Sequence, residues 1–196
     1  MRALLRIPVA LTALRAALAP VMVTLAIAWP DRAAFGACLV AAVLSDIFDG
    51  VIARRLGIAT PTLRRLDSAA DSLFYAGALF AAWHLQPQAL LDHRAALVAL
   101  VLLEITRYAF DLRKFGREAS YHMRSSKLWG LALFAGFFSL LALGRSGWPV
   151  TAAVWMGLLA DLEGLAISAV LTQWRSDVPS LLHALRLRKR AREATP

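Results

Sequence analysis

Four aspartates stand at helical spacing near the ends of two neighbouring apolar stretches. Asp46 and Asp49 lie three residues apart at the end of one stretch, and Asp67 and Asp71 lie four residues apart at the start of the next. Residues three or four apart share one face of a helix. Because a loop of only about ten residues joins the stretches, the two helices should be antiparallel neighbours whose acidic faces meet.

Converging carboxylates in a partly dry site repel one another unless cations neutralise them. Oxygen ligands alone suit Mg²⁺, Mn²⁺ or Ca²⁺ and do not suit zinc, which would want Cys or His. Two divalent ions held by about four carboxylates can bind a diphosphate and stabilise phosphoryl transfer. Gly50 and Ala53 share the acidic face of the first helix and leave space for such a ligand against the backbone. The four acids therefore predict a two-metal site.

The composition places these acids in a membrane protein. Of 196 residues, 59% are hydrophobic, while 22 Lys and Arg against 13 Asp and Glu give a net charge of +9. A disordered basic protein would be poor in apolar residues. A soluble nucleic-acid binder would not need several apolar stretches of about 20 residues, which is the length that spans a bilayer. We therefore expect an integral membrane protein with no nucleic-acid partner.

The apolar stretches predict an all-α, polytopic membrane protein with six transmembrane helices. The expected spans are residues 9–29, 33–55, 65–86, 94–113, 127–144 and 149–174. Prolines and glycines mark the turns between pairs of spans. We expect one transmembrane domain over residues 1–176 and a basic cytoplasmic tail over residues 177–196.

The basic residues indicate the orientation of these spans. Arg32, Arg94 and Arg145 fall in the turns after spans one, three and five, whereas the other 19 basic residues lie on the opposite side. Cytoplasmic loops carry an excess of Lys and Arg, so both termini and the acidic site are expected at the cytoplasmic face of a bacterial inner membrane. The tail segment 186–192 is expected to lie on anionic lipid headgroups, and nucleic-acid binding by it is the weaker alternative.

The acidic segment resembles the signature of the CDP-alcohol phosphatidyltransferase family. In this sequence the signature reads Asp46-x2-Asp49-Gly50-x2-Ala53-Arg54-x8-Leu63-x3-Asp67-x3-Asp71. Every spacing is preserved and seven of the eight signature positions match, with Leu63 standing where the family has glycine. The segment from Pro8 to Arg15 is similar to the Pro-Asn-x-Leu-Thr-x-x-Arg segment of phosphatidylglycerophosphate synthases in this family, with Val9 in place of the asparagine.

The resemblance implies an enzyme of phospholipid biosynthesis that transfers the phosphatidyl group from CDP-diacylglycerol to an alcohol and releases CMP. It implies two Mg²⁺ or Mn²⁺ ions bound by the four aspartates, with Asp71 also the general base for the acceptor hydroxyl, and it implies a homodimer. The residues assigned to the donor are Thr12, Gly50, Ala53 and Arg54. Arg54, beside Arg55, could equally be an orientation charge, and Leu63 could crowd the nucleotide or shift the start of the third span.

A basic segment after the fourth span is the candidate acceptor site. The residues assigned to the acceptor are Arg107, Arg124 and Lys127. Arg107 and Lys127 are similar to basic residues with which family members hold phosphorylated acceptors. This favours sn-glycerol 3-phosphate and leaves inositol phosphate, phosphatidylglycerol and serine as alternatives. Alternatively, Arg107 is simply neutralised by Glu104, Asp161 or Glu163.

Asp161 and Glu163 have no functional assignment from the sequence, and one of them could pair with Arg107 or Arg15. Intramembrane acids also allow a function of another class, a small cation or proton transporter. A transport path needs polar groups across the membrane thickness. The four aspartates instead cluster at one end of their spans, which favours the enzyme.

Overall fold

The computed structural model describes residues 2–56 and 60–193, with side chains described for residues 7–52, 55–56, 60, 63 and 65–190. The described helices are α1 (Arg2–Ala28), α2 (Arg32–Arg55), α3 (Pro61–Leu85), α4 (Pro87–Leu91), α5 (Arg94–Phe115), α6 (Arg124–Phe137), α7 (Trp148–Val170) and α8 (Leu181–Glu193). α6 continues as a π-helical segment, Phe138–Ala142. Within the described ranges the only β-type pairing is one isolated bridge between Ser120 and Ser176. The predicted all-α fold is confirmed.

Local signals explain where helices begin. The Asp31 carboxylate accepts a hydrogen bond from the Ala34 N–H at 2.8 Å, in the first turn of α2. The Thr60 hydroxyl accepts from the Leu63 N–H at 3.2 Å and caps α3. Pro61 follows at the first helical position, where a missing N–H leaves no hydrogen bond unmade. These signals start α3 ahead of residue 65, where the apolar pattern alone placed it.

Among the described residues, four segments are long and apolar enough to cross a membrane. They are Ile7–Ala28, Arg32–Ile52, Arg124–Ala142 and Trp148–Val170. They indicate a membrane protein. α3 and α5 have 25 and 22 residues, which is also a spanning length. However, α3 carries charged residues throughout its first half, and α5 carries them at Arg94 and from Glu104 onward. Six spans and their orientation therefore stay a prediction.

The chain forms two compact units, and the first comprises Met1–Leu90 and Phe137–Ser146. In this unit α1 packs against both α2 and α3. Its fully buried large side chains include Met22, Phe35, Leu39, Phe74 and Leu140. A Cβ atom at Gly77 would lie 2.8 Å from the Ala19 carbonyl oxygen. Glycine at this position therefore lets α3 approach the α1 backbone closely, and this contact aligns the helices that carry the site.

The second unit comprises Leu91–Gly136 and Gly147–Pro196, and α5 packs against α7 within it. Two glycines of α7 allow large polar side chains to lie against its backbone. A Cβ at Gly157 would lie 2.8 Å from the Trp129 Nε1 atom, and a Cβ at Gly164 would lie 3.0 Å from the Arg107 Cδ atom. Gly157 and Gly164 lie on either side of Asp161 in the sequence of the helix, and the guanidinium at Gly164 belongs to the arginine that contacts Asp161.

The segment predicted as a basic tail is largely helical. Ala184 of α8 is buried, and Leu181 and Leu187 are partly buried. These residues pack on a core that comprises Tyr121, Met123, Ile167, Leu171 and Val178. Leu182 and Leu185 are 68% and 46% exposed among the basic residues of the helix. α8 is thus docked by one face, and lipid contact by the other face stays a prediction.

Candidate active site

The side chain of Arg15 lies at the centre of the four aspartates and is only 2% exposed. Its Nη2 atom donates to Asp49 Oδ2 at 2.6 Å. Its Nη1 atom donates to Asp67 Oδ1 at 2.9 Å and to Asp71 Oδ1, and it lies 3.2 Å from Asp46 Oδ1. All four predicted carboxylates therefore meet around one cation.

Three of the carboxylates are close enough to share a metal ion. One oxygen atom from each of Asp46, Asp49 and Asp67 lies within 4.8 Å of the other two. The Asp49 side chain is 6% exposed, while those of Asp46 and Asp71 are 52% and 37% exposed. The site is therefore closed on one side and open on the other. A set of carboxylate oxygens is the ligand chemistry of Mg²⁺ and Mn²⁺, so the residues present fit divalent ions.

Three helices, rather than the two expected, build this site. α2 supplies Asp46 and Asp49 from one turn, and α3 supplies Asp67 and Asp71 from one face. α1 makes the main packing contacts with both of them and places Arg15 between the acids. The sequence predicts that the acidic faces of α2 and α3 meet directly. In the structure α1 lies against both helices and bridges them.

A family model described as CDP-alcohol phosphatidyltransferase matches residues 5–174. The chain belongs to this family. Membership confirms the expected enzyme class, a phosphotransferase that transfers a phospholipid head group with a CDP-alcohol as substrate and an alcohol as acceptor. The family typically depends on divalent metal ions, in keeping with the aspartate cluster. Searches of curated proteins and of solved structures gave no match.

The residues assigned to the CDP donor lie on α1 and α2, the helices that carry Arg15 and the first acid pair. Thr12 is 8% exposed and its hydroxyl donates to the Pro8 carbonyl at 3.0 Å. Gly50 is partly buried, directly after Asp49. The side chains of Ala53 and Arg54 lie outside the described residues. Donor binding by these four residues stays a prediction.

Leu63, at the position of the family glycine, lies in a regular, capped first turn of α3. It lies in the first turn, where its N–H donates to the Thr60 hydroxyl, and its side chain is partly buried. Helical backbone accepts any L-residue, so a glycine is not needed for the conformation at this point. Both effects expected for this leucine, crowding of the nucleotide and a shifted helix start, stay predictions.

Among the residues assigned to the acceptor, Arg107 already has acidic partners. Its Nη2 atom donates to Glu104 Oε1 and Oε2 at 2.7 and 2.8 Å, and its Nε atom lies 3.5 Å from Asp161 Oδ1. This is the neutralised arrangement that stood as the alternative. Arg124 and Lys127 are exposed at the start of α6. An acceptor role for all three residues stays a prediction.

Glu163 has a structural role that the sequence did not assign. Its Oε1 atom accepts a hydrogen bond from the Leu181 N–H at 3.0 Å, and Leu181 is the first residue of α8. A carboxylate at a helix N-terminus satisfies a free N–H and interacts favourably with the helix dipole. The two acids of α7 thus separate, with Asp161 beside Arg107 and Glu163 at the start of α8.

Arg15 is the site residue whose role the sequence analysis missed. The sequence places Arg15 in the family-like segment of α1 and allows it to pair with Asp161 or Glu163, but in the structure it pairs with the four aspartates. A signal was available, because an arginine inside an apolar span needs an anionic partner. Asp111 of α5, 2% exposed, is another buried charge that was passed over.

Proposed function

We propose that this protein is a phosphatidyltransferase that transfers the phosphatidyl group from CDP-diacylglycerol to a small phosphorylated alcohol, sn-glycerol 3-phosphate, and releases CMP. The observation that carries the proposal is the convergence of all four signature aspartates on one point at the contact of α1, α2 and α3. Like charges converge in this way where cations are to be bound. The proposed setting is a homodimer with its active site at the cytoplasmic face of a bacterial inner membrane.

The proposed metal ligands are Asp46, Asp49, Asp67 and Asp71. Two Mg²⁺ or Mn²⁺ ions held by them would neutralise the diphosphate of the donor and stabilise charge that develops on phosphorus and on the leaving CMP. The near-complete burial of Asp49, in contrast to the exposed Asp46, gives the cluster an inner and an outer side. A donor diphosphate is expected on the outer side.

Asp71 is the proposed general base. Its side chain is 37% exposed, so it lies at the open side of the cluster, where an acceptor hydroxyl can reach it. One Asp71 carboxylate oxygen takes the hydroxyl proton as the acceptor oxygen forms its bond to the lipid-bearing phosphorus. The bond from that phosphorus to the bridging oxygen breaks, and CMP leaves with that oxygen.

The proposed acceptor-binding residues are Arg107, Arg124 and Lys127. Their charge supports a phosphorylated acceptor, because guanidinium and ammonium groups bind phosphate oxygens strongly. In this proposal the phosphate competes with Glu104 for the guanidinium of Arg107. Inositol phosphate is the second candidate acceptor on the same grounds, and phosphatidylglycerol and serine are the others. Family membership favours an enzyme over the transporter alternative.

The test is CMP release by the purified protein from CDP-diacylglycerol with Mn²⁺, with each candidate acceptor in turn. We expect turnover with sn-glycerol 3-phosphate and loss of turnover on addition of EDTA. Turnover with a different alcohol alone would correct the acceptor and retain the chemistry. No turnover with any acceptor, from folded protein shown to bind Mn²⁺, would refute the proposed function.

A further inference from the structure

All three guanidinium nitrogens of Arg15 have partners in the first unit. Its Nε atom lies 3.4 Å from the Ser45 hydroxyl oxygen, and its two terminal nitrogens contact the carboxylates of all four signature aspartates. A buried guanidinium without anionic partners is strongly destabilising. The four acids therefore neutralise Arg15, whereas its single positive charge offsets only one of their four negative charges.

The contacts of Arg15 fall on carboxylates that a metal ion would also need. Its Nη1 atom contacts Oδ1 of Asp46 and Oδ1 of Asp67, and both residues belong to the group of three whose oxygens lie within 4.8 Å of one another. A divalent ion binds carboxylate oxygens at about 2.0–2.6 Å, and it repels a guanidinium held by the same carboxylates. Arg15 and metal ions therefore compete for these carboxylates.

We propose that Arg15 is the resident counter-ion of the active site and that divalent ions load by displacing its guanidinium from the carboxylates. The inference rests on the proposed metal site and adds a positioning residue to it. In the metal-free protein Arg15 keeps the four acids together. In the metal-bound protein its contacts with them are broken, so Arg15 lowers the affinity of the site for metal while it preserves the shape of that site.

Metal binding without turnover provides the test. The full-length protein in detergent is titrated with Mn²⁺, and free Mn²⁺ is followed by electron paramagnetic resonance. We expect R15Q to bind Mn²⁺ at least about tenfold more tightly than the native chain, because a competing interaction of ordinary coupling strength is removed. R32Q is the matched control. It removes the same charge from the opposite end of α2, and it should leave Mn²⁺ affinity unchanged.

Thermal unfolding separates this role from a purely structural one. In EDTA, R15Q should unfold at a lower temperature than the native chain, because four carboxylates are left without their counter-ion. In saturating Mn²⁺ that difference should largely disappear. If R15Q is equally destabilised with and without Mn²⁺, and its Mn²⁺ affinity is unchanged or weaker, then Arg15 is only a structural ion pair and the inference is wrong.

A second variant keeps the inference testable if R15Q does not fold. R15K retains the charge but has no planar fork to bridge several carboxylates, so it should fold and bind Mn²⁺ more tightly than the native chain. Unchanged or weaker affinity in R15K would overturn the inference. If the native chain, R15Q and R15K all fail to bind Mn²⁺, the proposed metal site itself is wrong. That outcome is distinct from metal binding that does not depend on Arg15.

Discussion

At the scale of single residues, the active site shows why acids can be predicted from spacing while their counter-ion cannot. Asp46, Asp49, Asp67 and Asp71 follow helix periodicity within two adjoining segments, so sequence alone brings each pair onto one face. Arg15 lies 31 residues before the first of them, and no periodic pattern connects it with them. Its place follows only from the packing of α1 between the acidic helices.

Asp71→Asn is the first residue-scale prediction. An amide has a similar shape but cannot take the acceptor proton, so CMP release should fall by about 10²–10⁴-fold. CDP binding, measured by calorimetry in the presence of Mn²⁺, should be largely retained. Glu118→Gln is the control, since Glu118 lies in the exposed chain after α5, and it should keep native turnover. Retained activity in Asp71→Asn would remove Asp71 as the base.

Leu63→Gly tests the departure from the family signature. Because Thr60 already caps this turn and Leu63 is helical, a glycine gains no needed conformational freedom and should cost about 1 kcal/mol of stability. Leu66→Gly, at an exposed position of the same helix, provides the matched change in helix propensity and should lose a similar amount. We expect the KM for CDP-diacylglycerol to be unchanged in both. A clear fall in KM for Leu63→Gly alone would instead identify the leucine as an obstruction of the donor pocket.

At the scale of helices, capping residues and prolines at helix ends explain where the helix bounds differ from those that the apolar pattern predicts. Hydropathy alone placed the start of α3 at residue 65, but the Thr60 cap and Pro61 start it at Pro61. Hydropathy also ended the last span at residue 174, whereas α7 ends at Val170. The many basic residues of α8 indicate a tail and hide its helical pattern. Its apolar residues Leu181, Ala184 and Leu187 recur at a spacing of three, which is typical of a helix.

Glu163→Ala is the prediction at this scale. The substitution removes the carboxylate that accepts from the Leu181 N–H, so the first turn of α8 loses a hydrogen bond and a favourable interaction with the helix dipole. The loss should be about 1 kcal/mol. It should appear as faster amide hydrogen exchange in residues 181–184, with α7 unaffected. Glu118→Ala removes an acid without a helix N-terminus to cap and should leave exchange in α8 unchanged. Equal exchange in Glu163→Ala would show that the apolar packing alone holds α8.

At the scale of the whole molecule, hydropathy and charge give different numbers of spans. The apolar content of the described helices supports four spans. The distribution of basic residues between the two sides of the membrane fits six spans. The difference concerns α3 and α5, which are long enough but carry charges. Charged residues that face a site or a partner within the protein are tolerated in a spanning helix. Asp67 and Asp71 meet this condition by contact with Arg15, and Arg107 meets it by contact with Glu104, so we expect both helices to span.

Arg94 distinguishes the two topologies. With six spans the turn before α5 lies outside, whereas with four spans α3 and α5 do not cross and this turn stays inside. Cys38 is the single cysteine of the chain, so Cys38→Ala gives a background in which one cysteine at a time can be introduced. In intact cells, Arg94→Cys should react with a membrane-impermeant maleimide. Two variants calibrate the labelling. Arg145→Cys should react in both topologies, and Arg117→Cys should react in neither topology until the membrane is permeabilised. Protection of Arg94→Cys in intact cells, with Arg145→Cys labelled, would establish four spans and leave α3 and α5 on the cytoplasmic side.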